Sequence, residues 1–534
     1  MEMDRLMSTV PPVSTTQPRQ RLTLLAVCLA VLMVPVSLSG TSVALPAISQ
    51  SLDADIGPLQ WVVNGYNVTA ASFMLAAGSL ADIVGRRRMF VIGVGLFGVS
   101  SLACALAENV YLLDIARALA GVGSASLLTA GTAILATTFN GEARTRAFAL
   151  TGVVIGCGLA IGPTSSGWII DLGGWRGIFL SQMVIALIVL TMVRFMSESR
   201  DPAAKGVDWV GTSTFTSALF VLTIAVAEGA QLGWTSPAML GLLILFLVLI
   251  AAFVLAERRR VRPMFDVTLF RQPRFVALCM LPVIFSFGFV GFVVLVPSYL
   301  IGANGRSSGE AGLAMLLLTG PVLVVPLLAA KFLRWGMSSR GLLTLSLLVT
   351  TVGVAWLTVI HPSMGWGALI GPMLTIGVGQ GLSSGLMDGA AISAVPPERA
   401  GMAAGMFNTM RLAGEAVAIA AMGGVLVSLI RNSLNGGFAD FQDKPQKNVE
   451  QLANSVASGN ADAAASSVSA SDRTAFIGYL ADGYTDAMHI MLWSVAALCA
   501  VATVVAYFLL AERPAPVREV KKQTPSAQRE QISS

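Results

Sequence analysis

The sequence predicts an all-α membrane protein of fourteen transmembrane helices, arranged as two six-helix halves plus two inserted helices. Three observations lead there. Of 534 residues, 55% are hydrophobic and only 12% charged, with a mean hydropathy of +0.75, whereas soluble domains carry about 25% charge. The apolar residues gather in runs long enough to cross a bilayer core of about 30 Å, which takes about 20 residues. Basic residues crowd into alternate turns between those runs, as they do on the cytoplasmic face of membrane proteins.

Taken in order, the first six runs lie near 22–45, 59–80, 89–107, 111–137, 146–170 and 176–196. Two more follow near 209–229 and 238–256, then six near 275–303, 311–333, 340–360, 366–394, 402–430 and 488–511. Alternate turns hold Arg86–Arg88, Arg144 and Arg146, Arg194 to Lys205, Arg258 to Arg274, Lys331 to Arg340, and Arg399. The intervening short turns hold only Arg176 and Arg306, so both termini are expected in the cytoplasm. Residues 329–340 repeat the place and the basic character of 78–88 without its acid, which makes the two groups of six a decayed repeat. The expected organisation is a tail at 1–21, a first half at 22–200, an insert at 201–260, a second half at 261–511 and a tail at 512–534. Within the second half, 431–487 reads as a solvated extracellular loop with some helix, because its Ala, Ser, Asn and Asp lack a core-forming pattern.

Composition also excludes. Cys28, Cys104, Cys157, Cys279 and Cys499 all lie inside apolar runs without a C-x-x-C and read as small core hydrophobes. His361 and His489 stand apart from any metal-binding spacing, so neither a catalytic site nor a metal site is expected. No G-x-x-x-x-G-K-[ST] string supports nucleotide drive. The net charge of +5 follows from topology and is not a nucleic-acid footprint.

Several stretches carry more specific information. Between the second and third runs lies Gly78-Ser79-Leu80-Ala81-Asp82-Ile83-Val84-Gly85-Arg86-Arg87-Arg88. Gly78 and Gly85 allow a short turn, and Asp82, just past the incoming helix, could cap the next helix and pair with the arginines. In the fourth run Arg117 follows Asp114 by three residues, close enough to pair, with a small-residue stretch after it. An Arg inside a span is costly and usually faces the bundle interior. The fifth run holds Gly156-Cys157-Gly158-Leu159-Ala160-Ile161-Gly162-Pro163-Thr164-Ser165-Ser166-Gly167, where Gly158 and Gly162 make one flat face and Pro163 bends the helix.

These strings resemble the signatures of the major facilitator superfamily: the cytoplasmic loop of the second-to-third junction, the Arg-bearing fourth span associated with proton coupling, and the antiporter helix of drug exporters. Gln60-Trp61-Val62-Val63-Asn64-Gly65-Tyr66, Asp208-Trp209 and Asn408-Thr409-Met410-Arg411-Leu412-Ala413-Gly414 are similar to the fourteen-helix drug:proton antiporter branch. Departures are Ile83 where the loop usually has a basic residue, Ala120 where the fourth span has Gln, and Ser166-Gly167 where Gly-Gly is common. A further departure is Ser37, which stands where span one often carries an acid. Glu415 occupies a place usually filled by a small residue.

The resemblance implies proton-coupled efflux of amphiphilic drugs or antibiotics across the plasma (inner) membrane, by a multi-pass monomer that needs no cofactor and no nucleic acid. The alternative is an exporter or flippase of an endogenous lipid or metabolite; a facilitator importer is a third reading. Gly78, Asp82, Gly85 and Arg86–Arg88 are the expected gating loop. Asp114, Arg117, Asp388, Arg411 and Glu415 are candidates for proton coupling, since intramembrane carboxylates are functional by default, although Arg411 four residues earlier could simply neutralise Glu415. Gly158, Gly162, Pro163 and Gly167 form the antiporter helix, and Ser37, Asn64, Tyr66, Gln380 and Asn408 are candidates for the substrate path.

Overall fold

A computed structural model describes residues 18–200, 208–233, 235–259, 267–395, 400–434, 449–459, 465, 468 and 472–510. Among these residues every regular element is helical. The first six helices are α1 (Pro18–Leu52), α2 (Ile56–Val84), α3 (Arg86–Ala105), α4 (Val110–Thr138), α5 (Gly141–Gly173) and α6 (Arg176–Met192). The inserted pair is α7 (Trp209–Leu232) and α8 (Pro237–Arg259). Next, α9 (Pro273–Phe285) and α10 (Gly291–Gly302) join through a π-turn at Ser286–Val290, and α11 (Ser308–Thr319) runs into α12 (Pro321–Arg334). The remainder are α13 (Ser339–Trp356), α14 (Trp366–Ser383), α15 (Leu386–Ser393), α16 (Ala400–Leu434), α17 (Val449–Ala457) and α18 (Arg473–Leu509).

Local chemistry sets several boundaries. The Asn109 side chain accepts the Leu112 N–H at 2.9 Å to start α4, and Asp208 accepts Gly211 N–H at 2.9 Å to start α7. Ser307 and Glu310 form a reciprocal capping box on α11. Glycine ends the run at 366–394 early: Gly385 sits at φ +75° and splits it into α14 and α15. Helix α2 bends by 51° between Met74 and Ala76, one turn before Gly78 and Ser79.

By length and apolarity, 12 described helices could cross a membrane, or 13 with bent α2 taken as one span. The one expected run outside that count, 366–394, holds α14, which is glycine-rich and carries Gln380; it packs among α11, α12 and α13. The first six helices pack mainly on one another, with α2 and α3 against α4, α1 against α5, and α3 against α6. Glycine makes the α3–α4 contact close, since a Cβ at Gly93 would stand 2.6 Å from Leu127 N and one at Gly123 2.7 Å from Phe97 N. Of the insert, α7 lies against both α2 and α16, whereas α8 contacts mainly α7 and exposes Leu240, Ile244, Leu247 and Val248.

One expectation fails here. The polar segment before α18 is not solvated throughout: α17 buries Leu452, Ala453, Val456 and Ala457. Its remaining stretches lie mostly outside the described residues, as do Arg399 and the two terminal tails. Helix α5 runs from Gly141 to Gly173 with Pro163 inside it. All five cysteines are free; Cys157 is half-buried and the rest are buried.

Candidate functional site

Arg117 is the largest fully buried side chain, 1% exposed in the middle of the first six helices. Its Nη1 donates to Ser37 Oγ on α1 at 2.7 Å, and its Nε donates to the Val62 carbonyl on α2 at 2.7 Å. The guanidinium lies over the Tyr66 ring at 4.3 Å and within 5.9 Å of the Phe179 ring on α6. One cation from α4 thus gathers α1, α2 and α6. The expected pair with Asp114 is not formed: among the described residues no ion pair joins them, and Asp114 Oδ1 is buried with no hydrogen-bond partner. Three residues' spacing brings two Cα atoms to one helix face, but here the guanidinium turns inward to neighbouring helices. Ser37, expected on the substrate path, is 2% exposed and committed to Arg117.

The second expected pair is also replaced. Arg411 Nη1 is 3.9 Å from Asp388 Oδ1, and both side chains are partly exposed. Glu415 has no ion-pair partner among the described residues. It sits on α16 between Leu412 and Ala416, which enter the apolar core of the first six helices, the core to which Tyr66 also belongs.

Within the first six helices are buried amides without partners. Asn64 and Asn67 on α2 and Gln182 on α6 are at most 1% exposed, and both polar ends of each are unbonded. Buried amides are normally satisfied, so these three stand out. Asn67 and Gln182 were not singled out from sequence; the signal was present, because each is an uncharged polar residue inside an apolar run. Gln380 is half-buried with Oε1 unbonded, and Asn408 is half-buried on α16.

Helix α5 lies on the seam between the first six helices and α10–α18. A Cβ at Gly158 would stand 2.5 Å from Pro35 Cγ, and one at Gly162 3.2 Å from Val36 Cα, so this face is pressed against α1. One turn on, the partner changes: a Cβ at Gly167 would stand 2.5 Å from the Ser308 carbonyl, and Thr164 Oγ1 donates to the Gly312 carbonyl at 2.9 Å. Asp171 Oδ2 accepts the Gly309 N–H at the start of α11 at 3.0 Å, and Ser42 Oγ donates to the Val293 carbonyl at 3.0 Å. Among the described residues, the hydrogen bonds from the first six helices to α10–α18 run from mid-bundle to the end opposite Arg86–Arg88, so that end is closed.

At the arginine end, Asp82 lies within α2, whose last residue is Val84, and pairs with Arg86 at 2.9 Å. It does not cap α3. Glu198, beyond α6, does so, with Oε1 accepting the Arg87 N–H at 3.0 Å and Oε2 3.9 Å from Arg88 Nε. Gly85, at φ +115°, is required twice over, since a Cβ there would also stand 2.6 Å from Glu198 Oε1. Gly78 has open space around it, so packing does not demand its small size. In the later basic turn, Gly336 at φ +92° precedes Arg340, whose Nε donates to the Tyr507 carbonyl at 2.8 Å.

Buried polar and ionisable side chains inside packed helices of membrane-crossing length fit a transporter of small molecules. Comparison with known proteins takes this further: the Major Facilitator Superfamily profile matches residues 27–419, and the chain belongs to that superfamily, as a transporter and not an enzyme. It is 33% identical over 419 residues to the multidrug resistance protein Stp of Mycobacterium tuberculosis, covering 78% of this chain and 77% of that protein. It is 31% identical to the methylenomycin A resistance protein of Streptomyces coelicolor, covering 74% of this chain and 83% of that one. Among solved structures, a bacterial homolog of the lysosomal transporter Spinster, in an inward-facing and unoccupied conformation, superposes with TM-score 0.63 at 14% identity, covering 93% of this chain and all of that one.

The Arg117 contacts predict a stability difference between two serines. Ser37→Ala removes an acceptor from a buried cation and should cost about 1.5–3 kcal/mol. Ser39→Ala should cost less, because Ser39 Oγ bonds only the Pro35 carbonyl of its own helix. Thermal unfolding of the detergent-solubilised variants checks this; equal midpoints would contradict the tie.

Proposed function

We propose that the chain exports amphiphilic drugs or antibiotics in exchange for protons, alternating between openings at its two ends. In this reading the arginine end is cytoplasmic, both termini lie there, and α14 completes fourteen spans in the plasma membrane. Two six-helix halves, 22–200 and 261–511, then rock about the seam with the insert 201–260 between them. The observation that carries it is the position of α5, whose glycine face lies on α1 while its far end lies on α11. The string that resembles an antiporter signature thus borders the contacts that must part for release. The relatives' names, which are of resistance and export proteins, support the same reading.

Protons need a carboxylate that both sides can reach in turn, and Glu415 is the best placed. Its place on α16 between Leu412 and Ala416, which enter the core that holds Tyr66, lets protonation change the attraction between α16 and the Arg117 cluster. Asp82, bound to Arg86 at the arginine end, is far from this point and sets cycling, not binding. The energy source is the proton gradient, with no cofactor.

Glu415→Gln should remove pH-driven transport while leaving substrate exchange at equal concentrations; proton-coupled flux at the normal rate would return Glu415 to a packing role. Asp82→Asn should slow transport about tenfold or more, with substrate affinity kept within a few-fold. Complete loss of binding in a folded Asp82→Asn protein would contradict a gating role. Because Ser37 serves Arg117 and Asp388 faces Arg411, few carboxylates remain for a dication. Competition between a monovalent and a divalent quaternary ammonium of similar size should favour the monovalent one, since a buried unpaired charge is costly; tighter binding of the dication would overturn this.

A further inference from the structure

We infer that α17, with the turn at Ser458–Gly459, is a removable plug on the seam at the end opposite the arginines, and that it must undock before solute can leave there. This rests on the alternating-export reading above and adds the element that holds the exit shut.

The plug is docked on both sides of the seam. Leu452, Ala453, Val456 and Ala457 are at most 2% exposed, in an apolar core shared with Leu45, Ile48 and Leu59 of the first helices and with Val293 to Leu300 of α10. Glu450 and Gln451 remain outside. A nine-residue helix is marginal alone, so its helicity comes from docking. Beyond it, Ser458 Oγ lies 3.2 Å from Ser49 Oγ on α1. Gly459, at φ +83°, is wedged between groups: a Cβ there would stand 2.9 Å from Pro46 Cγ and 3.2 Å from the Ser298 carbonyl. From the other side, a Cβ at Gly302 would stand 2.6 Å from Gly459 Cα.

Below the plug is a cavity of about 20 Å³ lined by Gln60 and Val63 of α2, Ser298 of α10, Gly423 of α16 and Ala457 itself. Ala457 is thus a wall of the space where the two helix groups meet. If α1 and α2 part from α10 and α16, the plug cannot keep both sets of contacts. Nearly all its contacts are apolar or neutral, so docking and undocking expose no buried charge, as a part that moves in every cycle requires.

Two full-length variants test this, in liposomes and with the five native cysteines replaced. In Ser49→Cys/Ser458→Cys, oxidation to the disulfide should lower flux of a monovalent quaternary ammonium about tenfold or more, with recovery on reduction. Flux of the cross-linked protein at the reduced rate would overturn the plug. In Gly459→Val, a reporter Ser298→Cys should react with an impermeant maleimide, added from the plug side, about tenfold faster than the reporter alone. Equal labelling would overturn it equally. The labelling needs no transport, so a protein that moves no quaternary ammonium would count against the export reading while the plug is still decided.

Discussion

The architecture of the first six helices depends on burying one positive charge. A guanidinium at 1% exposure has lost its water, and the cost is recovered only through several simultaneous partners. Arg117 finds them in a hydroxyl, a carbonyl and the face of a tyrosine ring, each on a different part of α1 or α2. Its position therefore fixes how α1, α2 and α4 sit together, and it determines what those helices have left to offer. Ser37 is used up, Asp114 is left over, and the Tyr66 ring is covered by the cation.

The seam contrasts with that rigid cluster. Across it the polar links are neutral hydrogen bonds or a carboxylate on a helix N-terminus, each worth about 0.5–3 kcal/mol net. Glycines at 167, 309 and 312 bring the two sides close at the seam. Such an interface can close firmly and still part, whereas the contacts within the first six helices run through tight glycine packing and a buried charge. The arrangement suits two bodies that move against each other more than a single fused core.

Much of this was legible in the chain. Apolar length and charge alternation gave the order and position of nearly every helix, because burial in lipid imposes both directly on composition. The signature strings located Arg117, Asp82 and the α5 glycines. Partner choice was not legible, since Arg117 reaches residues 55 and 80 positions away while Asp114 beside it is bypassed. The same applies to Arg411, which meets Asp388 and not Glu415 four residues on. Glu198 escaped notice because its role exists only once α6 returns beside Gly85. Helix α17 read as solvated because two of its five buried residues are alanine and one is asparagine, which do not stand out among the Ser and Asn around them.

Proton movement in the reconstituted protein tests the central claim most directly. With a pH-sensitive dye inside proteoliposomes, adding a lipophilic monocation outside should drive protons outward as the cation enters. Collapsing the pH gradient should stop its accumulation. Accumulation at an unchanged rate with the gradient collapsed, and no change in internal pH, would contradict the account.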